Sequence, residues 1–293
     1  MTKKLAGFMA KKKKGRAINT IGKTLVFTST AVMYMFKGLY TFLDGIGSAI
    51  LFTSKKVKEK RTEKPGNKKE KAKNRPKTSA KYTVLKDIKP IKGKSTSFEN
   101  FFHKSDSTIG IILGARGTGK SAIGLKLLEN AHAKAGKQVY AIGFNAKDLP
   151  GWIKTAKTPE EVENNSLVLI DESGISFSSR KSMSNSNQLL SSLLMVARHK
   201  NISVLFITQN SSNLEVNALR QADFLVMKPS SLMQKDFERK KIKEVYEAME
   251  PGFEELKETT GLTYIHSDKY QGFVTNELPS FWTTRVSKAF KEK

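Results

Sequence analysis

The sequence predicts a three-layer α/β domain with a mostly parallel sheet over residues 82–293. Apolar runs short enough for buried strands alternate there with segments of helical pattern, which is typical of βαβ units. The chain has 293 residues, so there is room for one large domain and an appendage. Its formal charge is +25, and most of the basic excess precedes residue 82.

The order of the predicted elements follows from these runs. Strands are expected at 108–113, 138–144, 166–171, 202–208 and 222–227. Helices are expected at 120–134, 187–199 and 235–249, followed by a small hairpin at 263–266 and 272–275 and a terminal helix near 280–292. We expect the strand at 166–171 to lie beside the first strand, with a further strand end nearby.

A glycine-rich segment directly follows the first strand. Residues 114–121 read Gly-Ala-Arg-Gly-Thr-Gly-Lys-Ser. Glycines let the backbone wrap a phosphate closely, and the next helix points its N-terminal dipole at the same charge. Lys120 is expected to reach the β- and γ-phosphates, and Ser121 to ligate Mg²⁺. The predicted nucleotide-binding residues are Gly114, Ala115, Arg116, Gly117, Thr118, Gly119, Lys120, Ser121 and Ala122.

The strand at 166–171 ends in two adjacent carboxylates. Asp171 is placed to hold Mg²⁺, as the Walker B aspartate does. Glu172 follows it directly and can act as general base on an attacking water. This pair favours ATP hydrolysis over a slow GTPase switch. The segment Asn145–Asp148 only partly matches the guanine-reading pattern, because its lysine is misplaced and it precedes the Asp171 strand.

Three further residues are candidates for the site. Gln209 follows the strand at 202–208 and is expected to orient water or sense the γ-phosphate; the alternative is a cap of the strand end. Arg198 is the first candidate for an arginine finger donated to a neighbouring subunit, and Arg220 is the second. An arginine at a helix C-terminus also serves as a dipole partner, so both interpretations of Arg198 stay open.

A serine-rich stretch, residues 173–187, follows the two carboxylates. Arg180 and Lys181 would suit contact with a phosphate backbone that responds to the nucleotide state. An ordinary solvated loop explains the same composition, and the sequence does not separate the two.

The region before the domain divides into three segments. Residues 1–24 form a basic tail with eight Lys or Arg and no acidic residue. Residues 25–54 are hydrophobic and long enough to span a bilayer, to lie in its interface, or to form a soluble hairpin that packs on protein. Residues 55–81 read as a basic flexible linker. The absence of cysteine excludes disulfides and thiol metal sites.

The motifs at 114–121, 171–172, 197–200 and 207–209 together resemble FtsK/HerA-type P-loop ATPases of the RecA-like (ASCE) class. Within that class the chain resembles genome-packaging ATPases of tailless viruses with an internal membrane. It also resembles the zonula-occludens-toxin-like assembly ATPases of filamentous phages, whose membrane span, however, follows the ATPase domain. The resemblance covers about residues 105–230 and implies ATP, Mg²⁺, a ring that is usually a hexamer, and double-stranded DNA as substrate. It implies phosphate and Mg²⁺ binding by Lys120 and Ser121, and sensing by Gln209.

From these observations we expect a ring-forming ATPase that translocates double-stranded DNA, in viral genome packaging. The alternative is an ATPase of virion assembly or extrusion that remodels coat or membrane proteins without moving DNA. Residues 1–81 are expected to contact membrane or anionic lipid. The expected location is a membrane, with the ATPase domain in the cytoplasm, or a packaging vertex of the virion; the host cytoplasm is the second choice.

Overall fold

A nine-stranded mixed sheet forms the centre of the described structure. The computed structural model describes residues 75–172, 182–214 and 216–288. The strands are β1 (Lys86–Gly93), β2 (Ile109–Leu113), β3 (Gln138–Ile142), β4 (Ile153–Thr155), β5 (Ser166–Asp171), β6 (Ser203–Ile207), β7 (Phe224–Met227), β8 (Thr263–Ser267) and β9 (Tyr270–Thr275).

Helices connect most of the strands. They are α1 (Ser95–Lys104), α2 (Lys120–Ala135), α3 (Ser182–Lys200), α4 (Val216–Arg220), α5 (Leu232–Asp236), α6 (Lys240–Glu255) and α7 (Thr284–Lys288). Short 3₁₀ turns lie at Ala146–Asp148, Pro159–Glu161 and Ser211–Asn213.

The strand order is β1-β9-β8-β7-β2-β6-β5-β3-β4. The six strands from β7 to β4 run parallel, and β8, β9 and β1 extend the sheet antiparallel. The expected neighbour of β2 was wrong: β6 lies between β2 and β5, with Leu205 opposite both Gly110 and Leu169. The strand that follows β5 in sequence therefore comes between the phosphate loop and the two carboxylates.

Helices cover both faces of the sheet, which confirms the three-layer prediction. Along β2, Ile111 belongs to one buried cluster with α3 and α6, and Ile112 belongs to another with α1 and α2. This alternation is the period of two of a strand buried on both sides.

Glycines set both ends of α2. Gly119 (φ 90°) precedes the helix and Gly136 (φ 62°) follows it, conformations that disfavour a side chain. Within the helix, a Cβ on Gly124 would lie 2.9 Å from the Leu169 side chain of β5. Glycine therefore lets α2 approach the sheet closely.

Several elements differ from the prediction. The sequence did not predict β1, α1, β4 or α4, and α3 begins at Ser182 rather than near residue 187. The helix predicted at 235–249 is divided into α5 and α6. Residues 75–81 of the predicted flexible linker contact the domain: the Arg75 guanidinium donates to the carbonyl of Leu149, and Trp152 donates to that of Thr78.

The predicted tail at 1–24, the hydrophobic segment at 25–54, the linker before residue 75 and residues 173–181 lie outside the described residues. Within the described ranges, none of the helices combines the length and hydrophobicity that crossing a bilayer requires.

Candidate nucleotide-binding site

The phosphate loop lies at the carboxyl edge of the sheet, the edge where β2, β5, β6 and β7 end. Three of its residues have positive φ: Gly114 (145°), Gly117 (82°) and Gly119 (90°). A Cβ on Gly114 would also come within 2.5 Å of the Lys228 side chain. The glycines at these positions are therefore required by the turn itself, as the motif predicts.

Lys120 begins α2 and turns back over the loop. Its ammonium donates to the carbonyls of Gly114 and Ala115, each at 2.8 Å, and the residue is 8% exposed. Burial lowers the pKa of Lys120, while the charges of Asp171 and Glu172 oppose that shift. A buried cation is thus held at the centre of an anion-binding loop.

Ser121 and Asp171 meet across α2 and β5. The Ser121 hydroxyl donates to Asp171 Oδ2 at 2.8 Å, and Asp171 is 2% exposed. A hydroxyl and a carboxylate are hard oxygen ligands that suit Mg²⁺, which otherwise takes its ligands from water and substrate phosphate. The two predicted metal ligands therefore fit the ion, although no cluster of three or more acidic or histidine ligands occurs among the described residues.

Glu172 contacts the end of β6. Its Oε2 accepts from the Thr208 hydroxyl at 2.5 Å. Burial raises the pKa of Glu172 and nearby Asp171 adds to the rise, while hydrogen bonds from Thr208 and Asn213 and the charge of Lys120 oppose it. A raised pKa suits a carboxylate that must take a proton from water near neutral pH.

Gln209 follows Thr208 and is exposed at the same edge. Its backbone carbonyl accepts from the side-chain amide of Gln234 in α5. On β6 the residue that contacts the Glu172 carboxylate is therefore Thr208, one position before the predicted sensor. The sensing role of Gln209 stays a prediction.

The two arginine candidates lie elsewhere. Arg198 is exposed in the last turn of α3, shortly before β6 begins, and Arg220 is exposed at the end of α4, shortly before β7 begins. These positions belong to the amino edge, the edge of the sheet opposite the phosphate loop. The structure does not bring either guanidinium to the phosphate loop of its own chain.

The sequence analysis missed three residues of the carboxyl edge: Thr208, Asn213 and Lys228. Thr208 was inside the predicted strand at 202–208, but its contact with Glu172 depends on β6 lying next to β5. Lys228 directly follows β7, so the same rule about polar residues at strand ends would have found it.

The strand order and the loop define the class of protein. A glycine-rich phosphate loop between β2 and α2, a metal-type aspartate on β5 and an inserted strand β6 make this chain a P-loop NTPase. A family model matches residues 124–271: zonular occludens toxin (Zot). The chain belongs to the Zot family, a family of phage assembly ATPases, and it is an ATPase. This confirms the predicted resemblance to the zonula-occludens-toxin-like assembly ATPases.

Solved structures with similarity to the chain were also found. The DNA-packaging ATPase of Sulfolobus turreted icosahedral virus is 14% identical, with 59% of this chain and 98% of that chain covered and a TM-score of 0.40. EssC (ATPases 2 and 3) from Geobacillus thermodenitrificans is 14% identical, with 74% and 49% covered and a TM-score of 0.37. Similarity at this level carries no statement about substrate. No curated protein matches the chain.

Proposed function

We propose that this protein is the ATP-hydrolysing motor of a virus assembly machine, that it works as a ring, and that it moves double-stranded DNA. The observation that carries the hydrolytic part is the pairing of Ser121 with Asp171 and of Thr208 with Glu172 beside one phosphate loop. Mg²⁺ bound by Ser121 and Asp171 would neutralise charge on the β- and γ-phosphates.

Each residue of the site has its own role in ATP hydrolysis. The loop N–H groups and Lys120 bind the phosphates of ATP. Glu172 accepts a proton from the water that attacks the γ-phosphorus, the bond between that phosphorus and the β,γ-bridging oxygen breaks, and ADP leaves. The Thr208 hydroxyl holds the Glu172 carboxylate in place. None of these steps requires a covalent intermediate on the protein.

The choice of DNA as substrate is supported by charge. The chain carries a formal +25, and thirteen Lys or Arg fall within residues 53–81. Basic segments bind nucleic acid phosphates with an affinity that falls steeply as salt is added. We therefore expect DNA to stimulate ATP hydrolysis by the full chain, and the stimulation to fade between low and high salt.

The test is steady-state ATP hydrolysis by the full chain and by residues 75–293, with and without double-stranded DNA, in a salt series. Stimulation of ATP hydrolysis in both proteins supports a DNA-binding surface within the ATPase domain. Stimulation of the full chain alone would assign DNA binding to the basic N-terminal segments. If DNA leaves the rate of ATP hydrolysis unchanged in both proteins, the DNA motor is excluded. The second candidate function, an assembly or extrusion ATPase, then remains.

The second candidate is an assembly or extrusion ATPase that acts on coat or membrane proteins. Membership of the Zot family favours this candidate. The position of the hydrophobic segment, before the ATPase domain rather than after it, was the one feature that argued against this resemblance. The signature of this candidate is hydrolysis that depends on a coat protein or on vesicles. Co-sedimentation of the full chain, but not of residues 75–293, with anionic vesicles would support membrane contact through residues 1–81.

The ring has its own test. Arg198→Ala subunits and Glu172→Gln subunits are each expected to be inactive if Arg198 acts on a neighbouring nucleotide. Mixing them places an intact arginine beside an intact carboxylate in some interfaces, so part of the ATPase activity should return. Activity that stays absent in every mixture would remove Arg198 from the role; Arg220→Ala is the matched second variant.

A further inference from the structure

A second buried lysine lies against the phosphate loop. Lys228 directly follows β7, and its backbone N–H donates to the Leu113 carbonyl at the end of β2 at 2.8 Å. Its side chain packs on Gly114 and passes Gly119, where a Cβ would lie 4.0 Å from the ammonium nitrogen. The residue is 2% exposed.

The ammonium of Lys228 has neutral partners. It donates to the carbonyls of Gly261 at 3.0 Å and Leu262 at 2.9 Å, which precede β8. Among the described residues, Lys228 forms no salt bridge, in contrast to the buried pair Lys126–Glu129. Burial disfavours an ammonium that has no counter-charge. For this reason burial lowers the pKa of Lys228 to about 7.

The same lysine borders open space beside the loop. A cavity of about 530 Å³ is lined by Gly117, Thr118 and Gly119 on one side and by Lys228, Gly261 and Thr275 on the other. A nucleotide whose phosphates occupy the loop would place negative charge next to Lys228. The missing counter-charge would then come from the ligand.

We propose that Lys228 is a second cation of the nucleotide site, and that its amine takes up a proton from solvent when nucleotide binds. The proposal rests on the proposed function, because it requires phosphates in the loop. It adds a residue that couples nucleotide affinity to pH, and through Gly261 and Leu262 it connects the loop with the segment before β8.

Other titratable groups belong to the same loop, bond to Lys228 or line the same cavity, and their protonation must be distinguished from that of Lys228. Lys120 of α2 also has a pKa lowered by burial, and Tyr246 of α6 donates to the Lys228 carbonyl at 3.3 Å. Lys86 of β1 and Glu277 after β9 line the same cavity. All four are unchanged in a Lys228 variant, so a difference between variant and wild type reports on Lys228.

The experiment is isothermal titration calorimetry of the full chain with ATP and Mg²⁺, between pH 7 and 9, in two buffers of different ionisation enthalpy. The variants are Lys228→Met, which has no charge, and Lys228→Arg, which keeps its charge at every pH in this range. Circular dichroism and thermal unfolding check that each variant folds. Mg²⁺ and inorganic triphosphate in place of ATP test whether phosphate alone is sufficient.

The wild type is expected to take up part of a proton per site, and its affinity should fall by up to roughly tenfold per pH unit above 7. Proton uptake should decrease in both variants to the same residual level. The ATP affinity of Lys228→Arg should be nearly independent of pH. A merely structural lysine would change stability or affinity without changing proton uptake.

Uptake that stays at the wild-type value in a folded Lys228→Met overturns the proposal. An affinity for ATP that is independent of pH in the wild type also overturns it, and that measurement needs no variant. Failure of the wild type to bind ATP at all would instead remove the proposed function together with this inference.

Discussion

The two edges of the parallel sheet carry charge in opposite ways. At the carboxyl edge, Lys120, Asp171 and Lys228 are buried, and Glu172 is partly buried. At the amino edge, Arg198 and Arg220 are exposed. Because a buried charge is unfavourable unless it has a partner, the charges of the first edge depend on the groups around them, and for Lys228 we propose that a nucleotide supplies the counter-charge. The charges of the second edge remain available to another molecule.

Removal of the phosphate-loop lysine should weaken the protein's function most. Lys120→Ala should weaken ATP binding by about 100-fold or more, since charge-assisted hydrogen bonds of roughly 1.5–3 kcal/mol each are lost. Equilibrium binding of a fluorescent ATP analogue measures it. Lys147→Ala, which removes an exposed lysine, is the control. Tight binding by Lys120→Ala would contradict the phosphate-loop assignment.

The next effect separates binding from turnover. Glu172→Gln should retain ATP affinity and lower kcat by roughly 100- to 10,000-fold, the usual contribution of a general base. Single-turnover hydrolysis and a binding assay on the same preparation measure both quantities. Glu247→Gln, at an exposed position of α6, should behave as wild type. Normal turnover in Glu172→Gln would exclude the general-base role.

The pH dependence of ATP hydrolysis should report on the hydrogen bond between Thr208 and Glu172. This bond stabilises the charged form of Glu172 and so lowers its pKa. Thr208→Val should therefore raise that pKa further. Since the base must be deprotonated to act, the acidic limb of the kcat profile moves to higher pH, and kcat on that limb falls by up to roughly tenfold, less than on loss of the base itself.

The control for this change is Thr208→Ser, which keeps the hydroxyl and should keep the wild-type profile. A Thr208→Val profile that coincides with wild type would show that the hydrogen bond does not tune Glu172.

The smallest effect belongs to the amino edge. Arg220→Ala should change the free energy of unfolding by less than about 0.5 kcal/mol, as exposed substitutions usually do. Urea unfolding measures it, and the ATP affinity of the variant should equal that of wild type. A decrease of several kcal/mol in the free energy of unfolding would show that Arg220 interacts with its neighbours as strongly as the buried charges of the carboxyl edge do.

Local patterns were sufficient for much of the fold. The glycine spacing at 114–121 predicted the loop, and the strand Ser166–Asp171 was predicted with the bounds that the structure has. Buried parallel strands are continuous apolar runs, so they are visible in sequence. β1 was not visible, because its residues Lys86–Gly93 are exposed and, among the strands that the structure describes, it pairs with β9 alone at the sheet edge.

The chemical groups of the candidate site can be named from the sequence: a phosphate loop, a metal-type aspartate, an adjacent carboxylate and a large basic excess. Which of these groups come into contact follows from the folded chain. The insertion of β6 between β2 and β5 brings Thr208 to Glu172, and the pairing of β7 with β2 places Lys228 on the loop. Strand order depends on long-range packing of similar apolar strands, which no local pattern along the chain specifies.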